Sequence, residues 1–419
     1  MSQEPVTITN VNVFDTDAGT VRLGLDVRIE NGRIRGVGKD LSRDGTKVLD
    51  AGGRILLPGL IDCHVHLTFM GAANESLAPT DPLAFYAWRA SGNALKTLAA
   101  GYTMVRDLGA TQAVNCDLAR AIREGMLDGP RVIAAGRMIT MTGGHGWPVG
   151  READGADDVR KAVREQLKVG AKVIKMMASG GVMTPNVDPR SAQLGLDELS
   201  AGVEEAHKAG VKTASHAQAT AGIKNAVHAG IDSIEHGIYL DDEVIEEMKR
   251  RGTYLVATLA APMNINRLGK AGGVPAFVLD KAQMIGQTHS DSFKKAMKAG
   301  VRLACGTDAG TPGNLHGENV QELRLMVEHG LSPVEAIRAA TANAAELCGM
   351  GDETGRIVEG YLADLLLVNG DPLQDIRVLE RPENIAGVLV EGRLLHSSGH
   401  FGEGGSAAGW PVPPAVEEL

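Results

Sequence analysis

The residues that could do chemistry first appear as a pair. His64 and His66 stand one residue apart in Gly59-Leu60-Ile61-Asp62-Cys63-His64-Val65-His66. In an extended strand residues i and i+2 face the same side, so two imidazoles at this spacing can reach a single metal ion. Lys175, inside Val173-Ile174-Lys175-Met176-Met177, poses a different problem, because an apolar strand would bury its ammonium at high cost. It needs a partner or a modification. An amine whose pKa is lowered by burial can react with carbon dioxide, and the resulting carbamate is an anion able to bridge two cations. His216, His236 and Asp308 lie at the ends of further short apolar runs.

Each of these residues has a plainer reading when taken alone. A single histidine on an apolar strand is usually a hydrogen-bonded core residue, and Asp308 after Cys305-Gly306-Thr307 could cap a helix or form a turn. The combination is what points to metal. Counted from the glycines that stop the preceding helices, Lys175, His216, His236 and Asp308 fall at a similar strand depth to the His64/His66 pair.

The elements that position them form an internal repeat in which a helix-ending glycine is followed by a short apolar strand. Its instances are Ala100-Gly101-Tyr102, Val169-Gly170-Ala171, Ala209-Gly210-Val211, Ala229-Gly230-Ile231, Arg251-Gly252-Thr253 and Ala299-Gly300-Val301. Strands beginning near Leu60 and Arg131 bring the count to eight, and Ser332 to Met350 reads as the last helix. Apolar strands alternating with helices predict a parallel sheet, and eight of them a closed (β/α)8 TIM barrel with its site at the C-terminal ends of the strands.

Both ends of the chain have another texture. Val6-Thr7-Ile8-Thr9 and Leu25-Asp26-Val27-Arg28-Ile29, with a turn at Glu30-Asn31-Gly32, predict an antiparallel sheet; Ala363 to Val368 and Val388-Leu389-Val390-Glu391-Gly392 repeat the pattern. The expected organisation is therefore α/β. Residues 58–358 form the hydrolase barrel, and residues 1–57 and 359–419 combine into a small β-sandwich domain.

Composition agrees with an enzyme acting on small molecules. At 419 residues the chain has room for one barrel and an accessory module, and its 43% hydrophobic and 22% charged residues are ordinary for a globular protein. A net charge of −10 without a local basic cluster argues against nucleic acid as a partner. The cysteines Cys63, Cys116, Cys305 and Cys348 form no CxxC pair and read as buried, reduced thiols. No window resembles a membrane span, and Met-Ser-Gln-Glu-Pro lacks the basic and apolar regions of a signal peptide. A cytoplasmic homo-oligomer with a small-molecule substrate is expected.

With Pro58 to His66, Ile174-Lys175-Met176-Met177-Ala178-Ser179-Gly180-Gly181, Ile234-Glu235-His236-Gly237 and Gly306-Thr307-Asp308 on the page, the chain resembles the amidohydrolase superfamily over nearly its whole length. It is most similar to the branch holding Xaa-Pro dipeptidases, carboxypeptidases acting on N-acyl amino acids and ochratoxin-degrading amidohydrolases. The resemblance implies that His64, His66 and Asp308 hold one divalent ion and His216 and His236 another, with carboxylated Lys175 and a hydroxide between them; zinc suits these ligands. It also implies that Asp308 takes the proton of the attacking water and passes it to the leaving nitrogen of an amide bond.

Substrate-binding roles are expected for His145 in Gly143-Gly144-His145-Gly146, for Tyr239 after the sixth strand, and for His316 in the Gly313-Asn314-Leu315-His316-Gly317 loop. Prolidase-like relatives carry a tyrosine where this chain has Gln218. His289 could support the site from a neighbouring helix, whereas His207, His228 and His329 read as solvated helix residues. Met141, Met176 and Met183 suggest an apolar rim. The expected substrate is a small N-acyl amino acid or dipeptide with a free carboxylate. Hydrolysis of a cyclic amide, as by imidazolonepropionase or dihydroorotase relatives, is the alternative enzyme reading, and a non-catalytic barrel scaffold is the alternative outside enzymes.

Overall fold

Asn31 and Gly32 adopt φ values of 50° and 76°, the pair of left-handed conformations that a two-residue hairpin turn demands. Thr20–Glu30 and Arg33–Gly38 accordingly fold back on each other in the computed structural model, which describes residues 4–74 and 80–398. Residues 1–3 and 399–419, assigned above to the terminal β module, lie outside the described residues.

Val6–Asp15 pairs antiparallel with Thr20–Glu30 but parallel with Lys47–Asp50 and Ile55–Pro58. The N-terminal sheet is therefore mixed, not purely antiparallel. Segment 39–46 carries the chain back to the start of the first strand, where Lys47 N–H donates to Pro5 O, and so makes a crossover instead of a hairpin. Ile55–Pro58 then pairs with Leu365–Val368, which continues through Ile385–Val390 to Arg393–Ser397. Both ends of the chain thus share one eight-stranded sheet, around a core that includes Ile8, Val27, Leu56, Leu365 and Leu389.

Between these ends the strands run parallel and alternate with helices. Leu60–Val65, Tyr102–Asp107 and Arg131–Ala134 form one group; Val173–Met177, Lys212–Ala217, Ser233–His236 and Tyr254–Val256 are consecutive neighbours in another. Backbone hydrogen bonds join the groups. Lys172 N–H donates to Ala134 O, and residues 302–309 bond to Leu255 on one side and to Cys63 and His64 on the other. Gly230, Gly252 and Gly300 end their helices in the left-handed conformation, as the repeat predicts. The expected last helix is broken into Pro333–Ala339 and Ala342–Leu347 at Thr341, whose hydroxyl donates to Ile337 O.

Apolar side chains such as Leu60, Val105, Ile174, Met176 and Ile234 fill the space between strands and helices. Among the described residues no helix is long and apolar enough to cross a membrane.

Candidate metal centre

The parallel register sets the ligands side by side. Met177 lies opposite His216 and Ala217 opposite His236, while Asp308 N–H donates to His64 O at 2.7 Å and draws residues 302–309 against Leu60–Val65. Ligand atoms of His64, His66 and Asp308 fall within 4.8 Å of one another. The His64 ring lies 5.1 Å from that of His236, which lies 4.6 Å from His216, and Lys175 Nζ is 3.5 Å from His64 Nε2. All six residues expected to hold metal converge on one cavity.

Neighbouring groups orient the imidazoles. His64 Nδ1 meets Glu235 Oε2 at 2.8 Å, His66 Nδ1 meets Gly109 O at 2.9 Å, and His236 Nδ1 meets Thr258 Oγ1 at 2.7 Å. Where the partner is a carbonyl or carboxylate, Nδ1 carries the proton and Nε2 keeps its lone pair. His216 is turned the other way: Nε2–H donates to Gly180 O, which leaves Nδ1 as the ligand atom. The Nε2 atoms of His64 and His66 each stand 3.4 Å from Asp308 Oδ1. Lone pairs converging in this way repel unless a cation or a proton lies among them, so the donor set fits a metal.

Electrostatics supports the same reading. Burial holds His64, His216 and His236 well below the usual imidazole range, which keeps them neutral as ligands must be. Burial also pulls His66 down, but contact with Asp308 outweighs it and the net shift is upward. The Lys175 amine, 2% exposed, is lowered to about 8 by burial. His236 and Asp308 have φ values of 71° and 61°, and Thr258, which orients His236, has 55°. Non-glycine residues in this region store of order 1–3 kcal/mol each, and such strain concentrates at functional sites.

Sequence reading missed the supports beneath the ligands. Arg106 is fully buried and donates to Cys63 O, Ser233 Oγ and Glu235 Oε1, so it pins the carboxylate that orients His64. A charged residue inside an apolar strand was the signal in both Tyr102–Asp107 and Ser233–His236, as it was for Lys175. Asp62 accepts from His64 N–H, Thr307 and Asn319 and so ties Leu60–Val65 to residues 302–309. Asp232 clamps the opposite end of the strands bearing His216 and His236 through Thr213, Lys212 and His207. His207 is exposed on its helix, as expected, and in addition hydrogen-bonds Asp232 Oδ2 at 2.7 Å.

The residues expected to bind substrate divide. His145 lines the cavity, its ring 4.4 Å from that of His216, and its Nδ1 meets the Thr184 hydroxyl at 2.8 Å. A Cβ on Gly181 would stand 2.4 Å from His145 Nε2, so only glycine lets the ring take this place. Tyr239 is half-buried beside Ile238 and does not line the cavity. His316 is buried against His66 O and Thr97, also away from the lining. His289 and Gln218 line it, and His289 Nε2–H donates to Ala257 O.

The methionine expectation needs correction. Met176 points outward against Gly202 and Val159, because its neighbour Lys175 faces the cavity; Met177, two residues beyond Lys175, lines the cavity together with Met138 and Met183. Met141 packs against the main core instead.

Comparison with known proteins supplies the remaining observation. The profile of the amidohydrolase family matches residues 55–395. An ochratoxinase from Aspergillus niger is 37% identical over 381 residues, covering 82% of this chain and 76% of that protein. A crystal structure of a Xaa-Pro dipeptidase with bound methionine in the active site superposes with a TM-score of 0.86 at 35% identity, over 93% of this chain and 99% of that one. A prolidase complexed with N-methylphosphonate-L-proline gives 0.88 at 31% identity, over 94% and 100%.

Proposed function

The chain belongs to the amidohydrolase family and is a hydrolase of amide bonds in small substrates, and on that premise we propose that it releases an α-amino acid with a free carboxylate from an N-acyl amino acid or dipeptide. The observation that carries this reading is the convergence of His64, His66, Lys175, His216, His236 and Asp308 on one cavity whose walls are otherwise largely apolar. The proposed frame is a single closed (β/α)8 barrel over residues 58–358, supported by the backbone bonds from residues 302–309 to both neighbouring strands. The described parts of 1–57 and 359–419 would form the separate β module.

His64, His66 and Asp308 would hold one divalent ion and His216 and His236 a second, with Lys175 as a carbamate between them. Zinc suits these nitrogen and oxygen donors. When bound, two such ions supply a water of lowered pKa and a Lewis acid for the scissile carbonyl. Asp308 accepts the proton of the attacking water and returns it to the leaving nitrogen. His145 receives the substrate carboxylate. With Thr184 Oγ1 taking the Gly146 N–H, the hydroxyl proton can go to His145 Nδ1 and leave Nε2–H as the donor. Lys175 favours this binuclear reading over a cyclic-amide hydrolase of the mononuclear kind.

Elemental analysis of the purified protein, combined with a screen of N-acyl amino acids and dipeptides, tests the proposal. Two divalent ions per chain and cleavage of at least one such substrate are expected. A metal-loaded protein inert to the whole panel would refute the reaction assigned.

A further inference from the structure

Gln218 is 4% exposed and lines the cavity, yet its Oε1 has no hydrogen-bond partner among the described residues. Its backbone is fully engaged: N–H donates to Ser179 Oγ at 2.7 Å, and the carbonyl accepts from Tyr239 N–H at 2.9 Å. The main chain is therefore fixed while the carboxamide oxygen has no partner among the described residues. Buried amides are almost always paired, and one that is not implies an occupant that satisfies it.

Its position narrows what that occupant is. Met177, Gln218 and Ile238 each stand two residues beyond a proposed ligand, Lys175, His216 and His236, at or just past the C-terminal ends of the three strands. All three line the cavity, as do Phe69 and Met138. Gln218 is the polar residue among these five lining side chains. A carboxamide has no charge with which to hold a carboxylate, but it offers a donor and an acceptor together. That matches a neutral peptide-type unit.

We infer that Gln218 is a specificity-determining residue that pairs with a second amide in the acyl part of the substrate, so that the chain favours peptide-like acyl groups over hydrocarbon ones. The inference rests on the reading above, in which His145 takes the carboxylate and leaves the neutral edge to the acyl side. An apolar acyl group would bury Gln218 unpaired, whereas an acyl group with its own N–H and C=O would satisfy it.

The test compares N-acetylglycyl-L-methionine with N-pentanoyl-L-methionine, which have the same acyl chain length, on the metal-loaded protein and on Gln218→Leu and Gln218→Met. Dissociation constants from calorimetry and kcat/KM are both read. The native protein should prefer the acetylglycyl compound by about 10-fold or more, and either variant should bring the ratio near one with metal content unchanged. A native ratio near one, or a ratio that survives in a folded variant, overturns the inference. If neither compound is cleaved, the reaction assigned is in doubt, but the binding ratio still decides the role of Gln218; if neither variant folds, the native ratio decides it.

Discussion

His64 Nδ1 lies 2.8 Å from Glu235 Oε2, and the other oxygen of that carboxylate accepts from Arg106 Nη2 at 2.9 Å. Three buried side chains from three strands therefore form one line that ends on a ligand nitrogen. The Arg106–Glu235 pair sets which His64 nitrogen carries the proton, and such supports tune metal sites as strongly as some ligands do.

Glu235→Gln should weaken metal binding by about 10–100-fold, since an amide has one acceptor oxygen for the two donors, His64 and Arg106, and no charge to neutralise Arg106. Metal titration against a competing chelator measures the change. Affinity equal to that of the native protein would remove Glu235 from the site's support.

Lys175→Ala should lower the metal content and abolish most activity, because the bridging anion goes with the amine. A short carboxylic acid supplied in solution should restore part of both. Loss of activity with two ions still bound and no rescue would argue against a carbamate bridge.

His145→Ala should reduce kcat/KM for an N-acyl amino acid while sparing its C-terminal amide or methyl ester. A lost charge-assisted hydrogen bond corresponds to about 1.5–3 kcal/mol, or about 10–150-fold. Equal loss on free and blocked substrates would assign His145 another role.

Asp232→Asn should destabilise the fold at neutral pH but not in acid. Burial alone would raise the Asp232 pKa, but bonds from His207, Lys212 and Thr213 outweigh it and hold the carboxyl well below the usual carboxylate range. A depressed folded pKa gives stability that is full above the ordinary carboxyl range and fades as pH falls through it toward the folded value. A loss of about 1–3 kcal/mol is expected at pH 7, shrinking below about pH 4. Urea denaturation at both pH values checks it, and a pH-independent difference would show that charge is not the cause.

Much of this molecule is legible along the chain, because some signals depend only on local spacing. The i, i+2 rule put His64 and His66 on one face, the glycine stops marked where parallel strands begin, and Asn31-Gly32 announced its hairpin. The cost of burying Lys175 was visible from its apolar neighbours alone. Other relations join residues far apart in sequence, and no local rule contains them. That Arg106 meets Glu235, that His216 presents Nδ1 where His64 and His66 present Nε2, and that Ile55–Pro58 pairs with Leu365–Val368 depend on strand order and register. The face of Met176 is a different case: alternation sets it opposite Lys175, so a lysine placed at the metals already turns Met176 outward, and the packed helices supply only what it meets there, Gly202 among them.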